Sequence, residues 1–259
     1  MFWALATNHA AIAHVHLADL DAALSLAGEL VRMGEDTNDP FVRAWGFWPL
    51  IEVQDKKGRF EDCIANLQKS IEVCEAIQLH DGRVNSGYKL SRSYLRLGEI
   101  EKSLQALTQS DLYRIKHDSK LYPHFFSLGY FRLYLAASER AKGKEREEWL
   151  KKAKRPGRKA LHWAQQRRFI FPEAERLQGV YDWLKGRQAS AQKHWQRSLD
   201  VAGEMGMRYE VAMTHLEIGR RLDDRQHLKD AETIFAEIGA DFDLGETRKF
   251  LEESRNGCR

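Results

Sequence analysis

The densest chemistry in this sequence is cationic. From Lys151 to Arg168 the chain reads KKAKRPGRKALHWAQQRR, with Lys151, Lys152, Lys154, Arg155, Arg158 and Lys159 in its first half and no acid in the run. Ammonium and guanidinium groups at that density can follow a phosphate backbone, and Trp163 offers a face on which a base could stack. Pro156 and Gly157 predict a break in the segment. The neighbouring EREEWL supplies acids that offset part of the charge, so the competing reading is a solvated helical face.

Ten histidines raise the question of a metal, above all His9, His14 and His16. Residues two apart on a helix do not share a face, so His14 and His16 make a poor ligand pair and no metal site is predicted. Cys63, Cys74 and Cys258 are odd in number and contain no C-x-x-C pair, which argues against a disulfide framework or a zinc site and fits a reducing cytoplasm. Cys63 and Cys74 read as small core residues of one helix. Gly143 and Lys144 adjoin, but no glycine stands five positions earlier and no Ser or Thr follows, so there is no phosphate-binding loop. H-E-x-x-H, G-x-S-x-G and dinucleotide fingerprints are also missing. The sequence therefore predicts no catalytic residue and no cofactor.

The elements that would carry these side chains are helices. Among 259 residues there are 18 glycines and only 5 prolines, too few breakers for a fold of many short strands. Hydrophobic residues make up 43% and charged residues 31%, enough to fill a substantial core. Net charge is +3, from 41 basic against 38 acidic residues, so no global field draws the chain to nucleic acid or lipid. The amino terminus has no secretory pattern, and the most apolar stretch, 125–137, is short and holds Arg132, so no membrane span is predicted.

A phrase recurs along the chain. Its clearest copy is GYKLSRSYLRLGEIEKSLQAL: Ser91 is small, Tyr94 follows at i+3, Leu97 and Gly98 turn the chain, and Ser103 and Leu104 open the next apolar stripe. The same seven-residue step fits Ala11 with Ala18, Ile51 with Gly58, Ala136 with Gly143, Gly179 with Gly186, and Gly219 with Gln226. A small residue lets two helices approach, glycine supplies the turn, and pairs that cannot hide their apolar faces alone must stack. The pattern resembles the tetratricopeptide repeat, roughly W-x-x-L-G-x-x-Y followed by a small turn residue and an alanine. It departs in a spacing above ~34 residues and in Ile51 at a small-residue position, so a HEAT-type repeat is the alternative. The resemblance implies an all-α, right-handed solenoid of about six antiparallel helix pairs in one domain over 1–259. The repeats fall near 1–35, 41–80, 82–118, 121–168, 172–206 and 208–240, with a capping helix at 243–255.

The second half, 121–251, is similar to the carboxyl-terminal repeat region of large bacterial signalling proteins. It is carried by PEAERLQGVYDWLKGRQASAQKHWQRSLDVAGEMGMRYEVAMTHLEIGRRL and HLKDAETIFAEIGADFDL. In that group an AAA-type ATPase module and a nucleotide cyclase or kinase-like module precede the repeats, which implies a regulatory arm. The opening FWALA has no polar cap before it, which leaves two readings: the chain starts partway through an array and exposes an apolar edge for a second copy or an upstream part, or Phe2 and Trp3 fold back on the first repeat.

In tetratricopeptide solenoids the first helix of each repeat lines the concave groove. That geometry assigns Trp45, Trp48, Tyr88, Arg92, Tyr130, Arg176, Trp183 and Arg220 to partner binding, and aromatics and arginines are the usual interface anchors. The expected role is a non-catalytic protein-interaction scaffold or regulatory module taking a protein or peptide of acidic and apolar character. Two alternatives stand beside it: a nucleic-acid-binding repeat using 151–168, and a small-ligand sensor with a cleft between repeats.

Overall fold

A computed structural model describes residues 2–120 and 122–256; Cys258 lies outside them. Among the described residues there is no strand, and thirteen α-helices follow one another in consecutive pairs. The pairs are α1 (Phe2–Leu17) with α2 (Leu20–Asp36), α3 (Pro40–Lys56) with α4 (Phe60–Ala76), and α5 (His80–Arg96) with α6 (Ile100–Lys116). They continue as α7 (Pro123–Arg140) with α8 (Gly143–Gln166), α9 (Phe171–Leu184) with α10 (Gln188–Glu204), and α11 (Arg208–Leu222) with α12 (Arg225–Ile238). A final helix, α13 (Asp241–Asn256), packs on α12. The molecule is thus a helical-repeat solenoid of the tetratricopeptide-like kind.

One turn design sets the cadence. Left-handed backbone occurs at Ala18, Asn38, Gly58, Gln78, Gly98 and Asp118, at twenty-residue steps, and again at Gly186, Gly206, Asp223 and Gly239. After each of these residues the next backbone N–H reaches back five positions to a helix carbonyl, as Arg59 does to Gln54 and Glu99 to Tyr94. That bond satisfies the carbonyls orphaned at a helix end and stops the helix sharply. Asp19, Asp39 and Asp224 cap the following helices by accepting from first-turn N–H groups.

Two sequence expectations need correction. The turn placed at Gln226 is made by Asp223, and Gln226 stands in the first turn of α12. Pro156 and Gly157 do not break the basic segment: α8 runs through both for 24 residues. Gly157 is buried, and an added Cβ would meet the Phe131 ring at 2.7 Å, so the glycine fixes the approach of α8 to α7. Proline costs a helix interior one internal hydrogen bond. Here the buried stripe of Ala153, Gly157, Ala160 and Ala164 packs against α7 and α9 and holds the helix together.

The odd-numbered helices form an inner layer and the even-numbered ones an outer layer. Each inner helix touches the next, from α1 through α11, and α11 comes back to touch α1. Ala18 accordingly packs in the same apolar cluster as Tyr209, Leu216 and Phe235. The α13 end extends this closure onto the first half. Phe242 meets Phe60 edge-on at 4.9 Å, and the Arg96 guanidinium lies 5.2 Å from the first ring and 4.8 Å from the second. Arg96 also pairs with Asp243 at 2.6 Å, and Asp243 accepts from the Tyr209 hydroxyl at 2.8 Å. At the other end of the sequence Phe2 is 92% exposed and Trp3 53%, so these two rings do not fold back on the first repeat.

His124 of α7 is buried against Phe125, Trp163 and Phe169. Burial, assisted by Arg167, pushes its pKa from the ordinary 6.5 down to about 4. A depressed histidine stabilises the fold above the unfolded value, and that contribution is lost as pH falls from 6.5 towards 4. The expected result is that His124→Phe gains on the wild type by about 2 kcal/mol between neutral pH and pH ~4. Urea midpoints at the two pH values check it, and an unchanged difference between the two proteins would refute it.

Candidate functional site

The inner helices enclose a central cavity of about 390 Å³, within the range of ligand pockets, ~300–1,000 Å³. Side chains at i, i+4 and i+8 lie on one helix face. Accordingly α3 presents Trp48, Glu52 and Lys56, and α5 presents Tyr88 or Lys89 together with Arg92. Asn8, Ile12 and His16 come from α1, Phe125 from α7, Glu173 from α9, and Tyr209 and Glu210 from α11. Phe169 and Ile170 of the short 3₁₀ turn before α9 complete the wall.

The charges alternate around the ring. Lys89 pairs with Glu52 at 2.9 Å, Arg92 with Asp55 at 3.0 Å, and Arg176 with Glu210 at 3.2 Å. Arg132 stands behind the wall, donating to Glu173 through Nε at 2.9 Å and to the Tyr88 hydroxyl at 3.3 Å. Burial opposes ionisation of Glu52 and Glu173, but the adjacent Lys89 and Arg132, each helped by Arg92, outweigh it and hold both carboxyls well below the usual glutamate range. Glu52 and Glu173 therefore stand in the wall as carboxylates.

Two donors in this wall are differently placed. Lys56 is buried, and its ammonium sits 3.7 Å over the ring of Tyr209. Burial lowers its pKa, with Glu210 acting against the shift. The Trp48 indole N–H is buried without an acceptor. A buried unpaired donor carries a cost of about 1–3 kcal/mol, which an incoming carbonyl or carboxylate oxygen would remove. Chemically the cavity suits a ligand with an acidic group beside apolar or aromatic parts.

Of the groove residues assigned from sequence, Trp48, Tyr88 and Arg92 line this cavity, and Arg176 sits immediately behind it on Glu210. The others stand elsewhere. Trp45 packs between α1, α2 and α3 with Ala4, Leu30 and Met33. Tyr130 stacks near Tyr134 at 5.8 Å, and Trp183 fills the cluster of Trp195 and Ile218. Arg220 pairs with Glu217 and Glu139. The sequence reading missed Glu52, Lys56, Lys89 and Glu173, which share helix faces with Trp48, Arg92 and Arg176, and it missed Tyr209 and Glu210 of α11.

The six basic residues Lys151, Lys152, Lys154, Arg155, Arg158 and Lys159 are all exposed on α8. Lys151, Lys154 and Arg158 border an open groove of about 750 Å³ with Lys144, Lys185 and Arg187. Glu147 and Glu148 line the same groove, Lys185 is tied to Glu147 and Arg187 to Asp182. Trp163 is half-buried and packs against the core around Phe131 and Leu177. The Cys63 and Cys74 thiols are buried, and burial pushes their pKa values up to about 12 and about 11, away from nucleophilic chemistry. Among the described residues no helix is long and apolar enough to cross a membrane.

Neither a known protein family nor a curated protein matches the sequence. Among solved structures, the chain superposes on a Rap protein complexed with Competence and Sporulation Factor, with a TM-score of 0.64 and 11% identity over 94% of this chain. Its helical-repeat fold is similar to that of Rap. The match spans 63% of the Rap chain.

Proposed function

We propose that the chain is a non-catalytic interaction module over 1–259 that captures a short segment of a partner in its central cavity. The observation that carries this reading is the pairing of Lys56 and the unsatisfied Trp48 N–H with the aromatic surfaces of Tyr88, Phe125 and Tyr209 in one enclosed space. An acidic group would meet Lys56, an adjacent apolar side chain would meet the rings, and the fixed ion pairs would reject misplaced charge. That the Rap structure was solved with a bound factor supports a receptor role for the same fold here. The similarity of 121–251 to repeat arms of signalling ATPases and cyclases supports a regulatory position in a larger assembly.

The test is a screen of short peptides against the purified chain, followed by calorimetry on the best binder. Lys56→Gln is expected to weaken binding about 10- to 100-fold, the worth of a hydrogen bond to a charged group, while Lys151→Gln with Lys154→Gln leaves it unchanged. Equal affinity in Lys56→Gln and Trp48→Phe would remove the cavity reading. The exposed cationic face of α8 favours a second reading, nucleic-acid binding. It requires affinity that falls steeply with salt as counterions are released, and a flat salt response excludes it.

A further inference from the structure

We propose that His215, His227 and Asp230 form a binding site for a single divalent transition ion of the zinc type, clamping α11 to α12 in the last repeat. This lies outside the central cavity and does not depend on the reading of it. The His215 and His227 Nδ1 atoms are 2.7 Å apart. The Asp230 Oδ2 atom is 3.8 Å from the first of them, and one donor atom from each residue lies within 4.8 Å of the others. Zinc bonds of ~2.0–2.2 Å in a tetrahedron place neighbouring donors ~3.3 Å apart, so the two distances bracket the required value. Each of these two differs from that value by about half an ångström, and side-chain rotation must bring the third pair in from within 4.8 Å to close the site.

The backbone prepares this meeting. His227 and Asp230 stand three apart on α12 and so share a face, and α11 contributes His215 from the opposite side. Gly219 of α11 lies where an added Cβ would sit 2.6 Å from Leu228 Cγ, which fixes the close approach of the two helices beside the site. Asp224 accepts from the backbone N–H groups of Gln226 at 2.9 Å and His227 at 3.2 Å and so fixes the first turn. Gln226 in turn donates to Asp230 Oδ1 at 2.9 Å, which leaves Oδ2 turned to His215. Outer partners of this kind are what orient metal ligands.

The donor set selects the ion. Two imidazoles and one carboxylate suit zinc, cobalt or nickel, whereas calcium and magnesium require mostly oxygen. In the metal-free protein one Nδ1 carries a proton and donates to the other. On binding, that proton moves to Nε2 of the same ring through solvent, both Nδ1 lone pairs reach the ion, and a water takes the fourth place.

The experiment uses the whole chain after chelator treatment, titrated with Zn²⁺ by calorimetry and with Co²⁺ by visible absorption. The expected result is one ion per chain, a tetrahedral cobalt spectrum, and no displacement by excess Mg²⁺ or Ca²⁺. His227→Gln and Asp230→Asn each weaken binding more than about 10-fold, and Gln226→Ala, which touches no ion, weakens it about 10-fold. His14→Gln leaves it unchanged. Circular dichroism of the metal-free variants separates lost ligation from lost folding. No uptake at micromolar Zn²⁺, or uptake equal in wild type, His227→Gln and Asp230→Asn, overturns the assignment and leaves a histidine–histidine hydrogen bond.

Discussion

Asp243→Ala will lower the unfolding free energy by about 3–5 kcal/mol, the cost of stripping one partner from a buried ion pair. Asp243 is 2% exposed and accepts from both Arg96 and Tyr209. Its loss leaves the Arg96 guanidinium between two phenylalanine rings without its ion-pair partner, and the Tyr209 hydroxyl without its acceptor. The contact joins residues 147 positions apart, so the substitution also loosens the closure of the ring. Urea denaturation measures the stability and small-angle scattering the radius. A double variant, Arg96→Met with Asp243→Leu, should recover much of the loss, because apolar replacement of both partners removes the stranded charge. A single variant as stable as the wild type would show that the closure contributes nothing.

Glu173→Gln is expected to cost a similar amount, about 3–5 kcal/mol, and to weaken cavity binding as well. Its carboxylate holds Arg132 and faces Arg92 and Arg176, so the amide leaves a surplus of buried positive charge in the wall. The same carboxylate governs behaviour in acid. Its folded pKa lies below the ordinary 4.5, as does that of Glu217, where burial is outweighed by Arg220 and Arg221. Depressed carboxyls stabilise the fold above the unfolded value, and the contribution fades as pH falls through 4.5 and below. Melting temperatures at successive pH values should therefore drop more steeply below about pH 4.5 in the wild type than in Glu173→Gln. Parallel curves would refute the assignment.

The helical-repeat fold was legible because glycine marks a turn visibly. Gly58, Gly98, Gly143 and Gly186 gave a period near forty, whereas the intervening turns at Asn38, Gln78 and Asp118 use side-chain residues in the same left-handed conformation and left no sign. The true period of the first half is twenty, one helix and one turn. The sixth turn was misplaced because Asp223 takes the left-handed position without a glycine. For the cavity, the positions three before and one after the small-residue register are the useful ones: Asn8 and Ile12 around Ala11, Trp48 and Glu52 around Ile51, Tyr88 and Arg92 around Ser91. Trp45 and Tyr130 lie six before, which turns them to neighbouring helices. Residue type alone favoured aromatic and arginine anchors and passed over Glu52, Lys56 and Lys89, whose roles come from opposing helices. No sequence rule placed His215 beside His227, since the two meet only through the antiparallel return of α12.

The contact of α1 with α11 also bears on how the chain assembles. A linear array of repeats gains stability by neighbours alone, so it can nucleate anywhere and fray from either end. Joining the two ends couples every repeat to every other, and the joining step closes a loop of nearly the whole chain. Such closure waits until the intervening repeats are in place and slows the last stage of folding. In return, fraying at either terminus must first break the seam, so amide exchange in the first and last repeats should be nearly as slow as in the middle.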